Sequence, residues 1–356
     1  MPHSGSLRVL VDAVAAQVGG GASHAVAQLS ALSRVEDIAL TIHASDVVAD
    51  RLAHACPGAH VVRHERRPLL RRTTWEQGPL AREASRHHVL YTLGNFALFG
   101  ARRPQVVIAQ NAWYFTDEVR RFRRDACPPR MRARLAIESV AARWSLARAE
   151  CVVAVSEAMA GAVRADLGPL PAMTVIASAA PPLPPGPAPP GLPERFVLAV
   201  AHDDPHKEWD RLIALFEGDR GLPPLVLAGR TARRLPSDDR VRLLGEIRDA
   251  AALGGLYGEA SAYVAHSRFE SFGLTPCEAL AAGTPVAASD IPAHREACGT
   301  AAAYYPPGDD RALARAVRAS LAAGAPQESV PALERTWDDN ARELAGLLRA
   351  TARATA

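Results

Sequence analysis

The chain has 356 residues, of which 48% are hydrophobic and 22% charged, so it can fill two cores and is not a disordered polymer. The formal net charge of +3 demands no nucleic acid. The balance is uneven, however: residues 1–178 carry 22 arginines against 15 acids, a net +7, and the remainder carries 19 basic residues against 23 acids, a net −4.

Leu7–Val11 reads as a first strand, too short and too soon broken for a signal peptide. A glycine run, Gly19-Gly20-Gly21, precedes a predicted helix over Ala22–Ser33. Strands are then expected at Ile38–His43, His88–Leu93, Gln105–Gln110 and Cys151–Val155, with a helix at Arg130–Arg148 before the last. Residues 178–193 hold eight prolines between Pro181 and Pro193. Proline cannot enter a sheet or helix interior, so this stretch reads as a semi-rigid linker. The alternation restarts with strands at Phe196–Ala201, Leu225–Ala228, Val241–Leu244, Ala262–Ala265 and Pro285–Ala288. Helices are expected at Trp209–Glu217, Asp249–Tyr257, Pro276–Ala282 and Asp309–Ala323, and a last one near Trp337–Ala350. Alternation of this kind implies βαβ units and parallel sheets. The expected architecture is α/β: two doubly wound, Rossmann-like domains facing a cleft. They would span 1–177 and 194–335, with the linker at 178–193 and a closing helix over 336–356 packing back toward the N-terminal domain.

The five cysteines, Cys56, Cys127, Cys151, Cys277 and Cys298, form no C-x-x-C pair. They argue against a disulfide framework or a zinc site, and fit a reducing cytoplasm. Adjacent acidic pairs such as Asp203-Asp204 and Asp309-Asp310 lack the D-x-D spacing of metal-dependent transferases. There is no G-x-G-x-x-G fingerprint of a dinucleotide enzyme.

The segment Ser267–Pro285 follows a buried strand and opens a helix. Thr275 suits the helix N-cap, Pro276 its first position, and Glu278 stands three residues after the cap. A helix N-terminus offers free N–H groups to a diphosphate, and Gly273 lets backbone approach a ligand. Glu270 and Glu278 would then flank an anion site and accept hydrogen bonds from sugar hydroxyls. The alternative for Glu278 is a capping box, Thr275-x-x-Glu278, and for Glu270 a solvated loop. Lys207 is the single lysine beside 40 arginines. It stands just before a helix, where a compact ammonium binds phosphate as a point charge.

Residues 269–286, F-E-S-F-G-L-x-x-x-E-A-L-A-A-G-T-P-V, resemble the E-x7-E signature of the family-four retaining glycosyltransferases of GT-B fold. Val197–Ala201 with Pro205-His206-Lys207 and Asp210–Ile213, Leu244–Ile247 with Leu253 and Leu256-Tyr257, Ala302–Asp309, and Trp337–Leu348 resemble further family segments in order. The resemblance is good over residues 195–350 and looser before them.

It implies that Glu278 meets ribose hydroxyls, Glu270 the transferred sugar and Lys207 the diphosphate. The backbone of Phe272, Gly273 and Leu274 would meet sugar and phosphate. Thr275, His202, Gly245, Ile247 and Arg230 complete the implied donor set. Many relatives place an arginine where His202 stands, so Arg230 and Arg268 are candidates for a second cation. Gly20, Gly21, Asn95, Asn111 and Ser156 are the implied acceptor side. Asn111 stands near a position where many relatives have histidine, so it is assigned binding and not proton transfer.

The expected activity is metal-independent transfer of a hexosyl or related sugar to a hydroxyl acceptor, with retention and without a cofactor. The acceptor would be a glycan, a glycolipid or a small metabolite of polysaccharide or natural-product glycosylation. The alternatives are a nucleotide-sugar 2-epimerase of the same fold and a non-catalytic GT-B partner. No nucleic-acid motif is present. Peripheral contact with the inner face of a membrane is expected through the arginine-rich stretches Arg63–Arg72 and Arg120–Arg134.

Overall fold

The computed structural model describes residues 5–17, 19–65, 68–170, 172–180, 182–232, 239–324 and 330–354. Arg66 and Arg67 of the first arginine-rich stretch and Pro181 of the proline-rich stretch lie outside the described residues. The chain divides into two compact units, residues 1–178 with 337–356, and residues 179–336.

The first unit holds a parallel sheet of seven strands: β1 Leu7–Ala13, β2 Ile38–Ser45, β3 His60–His64, β4 Val89–Thr92, β5 Gln105–Ala109, β6 Cys151–Ala154 and β7 Met173–Val175. Their order is β3-β2-β1-β4-β5-β6-β7. All four residues of β4 and β6, and all five of β5, are buried, as strands covered on both faces require. The edge strands β3 and β7 were not anticipated. His60-Val61-Val62-Arg63-His64 lacks a long apolar run, and β7 has only three residues.

The helix Trp337–Arg353 belongs to this unit. It is fastened by buried side chains. The Tyr91 hydroxyl donates to Gln28 Oε1 (2.6 Å), Gln28 Nε2 to Asn340 Oδ1 (2.8 Å), and Asn340 Nδ2 to the Ala177 carbonyl (2.8 Å). His24 meets the Trp337 ring edge-on at 5.0 Å. Asn340→Ala strands the Gln28 amide and removes the bond to the Ala177 carbonyl. It is expected to cost about 2–3 kcal/mol, measured as a lower midpoint in urea unfolding.

The second unit holds β8 Val197–Val200, β9 Leu225–Ala228, β10 Val241–Gly245, β11 Ala262–Ala265, β12 Val286–Ser289 and β13 Ala302–Tyr305, all parallel, in the order β10-β9-β8-β11-β12-β13. Side chains alternate between two cores. Leu198, Val226, Tyr263 and Val286 join Tyr257 and Cys277 on one face; Val197, Leu225, Val264 and Ala287 join Trp209 and Phe216 on the other. β13 was not anticipated: its sequence Ala-Ala-Tyr-Tyr carries no strand period. The proline-rich stretch belongs to this unit and lies against the helix Ala250–Glu259. A Cβ on Gly254 would stand 2.3 Å from the Pro184 carbonyl oxygen, and one on Gly255 2.2 Å from that of Gly186. Among the described residues, no helix is long and apolar enough to cross a membrane.

Candidate functional site

In the second unit the chain builds β8, steps outward to β9 and β10, and returns to the other side of β8 for β11. Connections therefore leave β8 and β11 in opposite directions. Beyond the carboxyl ends of two such strands lies the crevice where open α/β sheets bind ligands. Both loops that arrive there carry a charge. After β8, the short 3-10 turn Pro205–Lys207 presents Lys207, and Glu208 closes it at φ +41°. After β11, the loop presents Glu270. Lys207 Nζ donates to Glu270 Oε1, and the Ser267 hydroxyl donates to the same oxygen at 2.7 Å. Burial alone would raise the Glu270 pKa, but the Lys207 ammonium outweighs it and holds the carboxyl at about 2. Glu270 is therefore ionised at neutral pH.

Three buried histidines surround the pair. His206 stacks on Phe269 at 5.1 Å, His266 bonds the Tyr305 hydroxyl at 2.8 Å, and His294 Nδ1 lies 3.0 Å from Ser289 Oγ. Burial lowers their pKa values to about 3, 4 and 4, so all are neutral. Lys207, Thr275 and His294 line one small pocket with the end of β8. The sequence reading missed the histidines, whose only signal is adjacency to strand ends and to Lys207.

The next helix runs Leu274–Ala281, starting two residues earlier than expected. Its N-cap is Gly273, at φ +113°, a region that favours glycine. Thr275 is therefore inside the first turn and is not the cap. The capping box is absent for the same reason. Glu278 does not return to its own backbone; its Oε2 accepts from the Tyr257 hydroxyl at 2.9 Å. Burial raises the Glu278 pKa to about 7, with the Tyr257 bond opposing. The folded chain thus binds a proton that the unfolded chain has released between pH 4.5 and 7. This group's contribution to stability must fall as pH rises through that window. Glu278→Gln is expected to remove a slope of up to about 1.4 kcal/mol per pH unit, read from urea unfolding at a series of pH values.

The other donor-side residues surround the same sheet edge. His202 Nδ1 accepts from the Arg230 backbone N–H at 3.2 Å, and the exposed Arg230 side chain lies beside it. Gly245 takes φ +73°, while Ile247, Leu274 and Phe272 pack on the core that holds Tyr257. Arg268 sits next to Gly308, in the loop after β13.

In the first unit, Gly20 and Gly21 form the first turn of the helix Gly19–Leu32 and not the turn before it. Asn95 is fully buried at φ +71°, and its Oδ1 accepts from the Gln110 N–H at 2.8 Å. Asn111 caps the short turn Ala112–Tyr114, accepting from the Trp113 N–H at 3.1 Å, and Ser156 caps the helix Glu157–Leu167, accepting from the Met159 N–H at 2.8 Å. The arginine-rich stretches lie largely on helices and include structural members. Arg123 is buried and donates to the Trp113 and Leu135 carbonyls, and Arg120 pairs with Asp117 and Asp166.

This sheet also has a switch point, between β1 and β4, and the sequence reading missed what stands there. Asp12 faces Thr92 in register, both buried, with Glu76 paired to Arg72 at 3.1 Å. Burial and the Glu76 charge push the Asp12 pKa up to about 8.

Residues 203–323 match the model described as glycosyl transferases group 1. A lipopolysaccharide core biosynthesis mannosyltransferase, LpcC, of Rhizobium leguminosarum bv. viciae is 33% identical over 156 residues, 41% of this chain and 40% of that protein. The chain thus spans about two-fifths of the length of the curated relatives it matches. Over the whole fold, Anabaena Alr3699/HepE, solved with UDP and glucose, superposes with a TM-score of 0.65 at 17% identity, covering 98% of both chains. Sucrose-phosphate synthase of Thermosynechococcus elongatus gives 0.67 at 19%, covering 98% of this chain and 97% of that one. The chain has the GT-B fold, and its residues 203–323 match the group 1 glycosyltransferase family.

Proposed function

We propose that the protein transfers a hexose from a nucleotide diphosphate carrier to a hydroxyl acceptor, with retention of anomeric configuration. The observation that carries this is the Lys207–Glu270 pair at the switch point of the second sheet, beside the N-terminus of Leu274–Ala281, with Glu278 farther along that helix. A diphosphate would take the Lys207 ammonium and the helix N–H groups, freeing Glu270 for sugar hydroxyls. Glu278, freed of its proton, would accept from ribose hydroxyls. Gly245 and Ile247 would border the base, with His202 and Arg230 near the phosphates.

In the transfer, the bond from the anomeric carbon to the diphosphate oxygen breaks and a bond to the acceptor oxygen forms. The acceptor proton passes to the leaving phosphate. Lys207 and the helix end stabilise the charge growing there, a task that needs neither a metal ion nor a cofactor. The mannosyltransferase relative supports a hexose and a glycan or glycolipid acceptor, and the neighbour solved with UDP and glucose supports a nucleotide diphosphate carrier. Peripheral membrane contact by the first unit would suit a glycolipid.

Incubation with GDP- and UDP-hexoses and a panel of glycan acceptors tests this, with the product linkage read by NMR. A new glycoside of the donor's own configuration is expected. Inversion would refute retention, and an epimer formed without acceptor would replace transfer by isomerisation.

A further inference from the structure

The helix Pro129–Arg148 in the first unit carries a feature that the transfer reaction does not use. Its inner face, Leu135, Ser139, Ala142, Ser145 and Leu146, is buried. Its outer face repeats Ala133, Ile137, Val140, Trp144 and Ala147 at spacings of four and three, and all five are exposed. Ile137 is 70%, Val140 69% and Trp144 43% exposed. Phe99, from a neighbouring loop, extends the stripe by packing its ring 4.0 Å from that of Trp144. Exposed aliphatic and aromatic side chains in a continuous row are unusual on a surface with no partner.

Charge borders the stripe on both sides. Arg130, Arg132, Arg134 and Arg148 are exposed, and the Arg148 guanidinium lies 4.2 Å over the Trp144 ring. The helix has one acid, Glu138, which is half-buried and engaged with the Tyr114 hydroxyl at 3.4 Å and Arg134 at 3.7 Å. The four-three spacing alone would suit pairing with a second copy. Two copies, however, would bring arginine rows together with no glutamate row to answer them, and such flanks decide against pairing. A sheet of lipid phosphates answers them directly. Amphipathic helices with arginine flanks and Trp or Phe on the apolar face lie in the headgroup layer.

We propose that this face docks on an anionic bilayer surface, with Ile137, Val140, Trp144 and Phe99 entering the headgroup–acyl boundary and the flanking arginines meeting lipid phosphates. The inference goes beyond the transfer reaction, and vesicle binding requires neither donor nor turnover.

The test is co-sedimentation of the full chain with vesicles of mixed phosphatidylglycerol and phosphatidylcholine, and with phosphatidylcholine alone. Binding to the mixed vesicles only is expected, weakening as salt is added. Ile137→Ser/Val140→Ser should weaken it about tenfold or more, and Arg130→Gln/Arg132→Gln should flatten its salt dependence. Both variants change exposed side chains, and an unchanged unfolding midpoint confirms that they fold. Absence of binding to mixed vesicles overturns the proposal, as does equal binding by the apolar double variant. A dimer in light scattering that Ile137→Ser/Val140→Ser dissolves would assign the stripe to a second copy and likewise overturn it. Loss of transferase activity with vesicle binding intact would count only against the transfer reading.

Discussion

Lys207→Ala is expected to lower kcat/KM for sugar transfer about a thousandfold, roughly 4 kcal/mol of transition-state stabilisation. Its ammonium is the cation aimed into the switch-point pocket, and the neighbouring histidines are neutral. Lys207→Arg should recover little, because a planar fork cannot take the place of a compact charge donating to one Glu270 oxygen and then to phosphate. A second readout separates this role from a merely structural one. Glu270 has a depressed pKa, so its pair contributes stability that is present above its ordinary value of 4.5 and is lost as pH falls toward 2. In Lys207→Ala that acid-side loss should disappear, because the carboxyl left behind is already destabilised at neutral pH. With both side chains half-buried, the cost at pH 7 should be only about 1–2 kcal/mol. A small loss of stability with a large loss of turnover is the pattern expected of a donor-site cation.

Gly229→Ala is expected to cost roughly 4 kcal/mol or more of stability, near the extreme for one methyl group. Gly229 follows β9 at φ +145°, and a Cβ there would stand 1.6 Å from the Ala201 carbonyl oxygen and 2.6 Å from its carbon. Backbone cannot step aside as a side chain would. The ends of β8 and β9 would have to part, breaking the Ala201 N–H bond to the Ala228 carbonyl at 2.9 Å and the Asp203 N–H bond to the Arg230 carbonyl at 3.1 Å. The loop that carries His202 and Lys207 starts there, so nucleotide affinity should fall with stability. Gly283→Ala is the control. It too has positive φ, +78°, but nothing lies within 4 Å of the added Cβ. It should cost only about 1 kcal/mol, and the difference in urea midpoints isolates the backbone clash.

Most of the second unit was legible because its strands are short apolar runs separated by helical periods. Leu225–Ala228 and Ala262–Ala265 were read to the residue. What failed was chemistry that depends on other parts of the chain. Thr275 looks like a cap because caps are judged from local spacing, yet the chain turns at Gly273 and Glu278 finds Tyr257, twenty-one residues away in sequence. Asp12 is an unremarkable residue at the end of a strand until β4 is laid beside β1 and buries it against Thr92. The histidines around Lys207 are likewise made neutral by burial, a property no single position carries. The exposed stripe of Pro129–Arg148 was hidden because a helical pattern alone does not say which apolar residues the fold leaves outside.

The central claim is that the switch-point pocket of the second unit binds a nucleotide diphosphate through Lys207. Titration calorimetry of GDP and UDP against the wild-type chain and Lys207→Ala tests it most directly. The account predicts one-site binding of at least one nucleotide, weakened about a hundredfold, or roughly 2.7 kcal/mol, in the variant. Binding that is equal in both proteins, or absent for both nucleotides in the wild type, would contradict it.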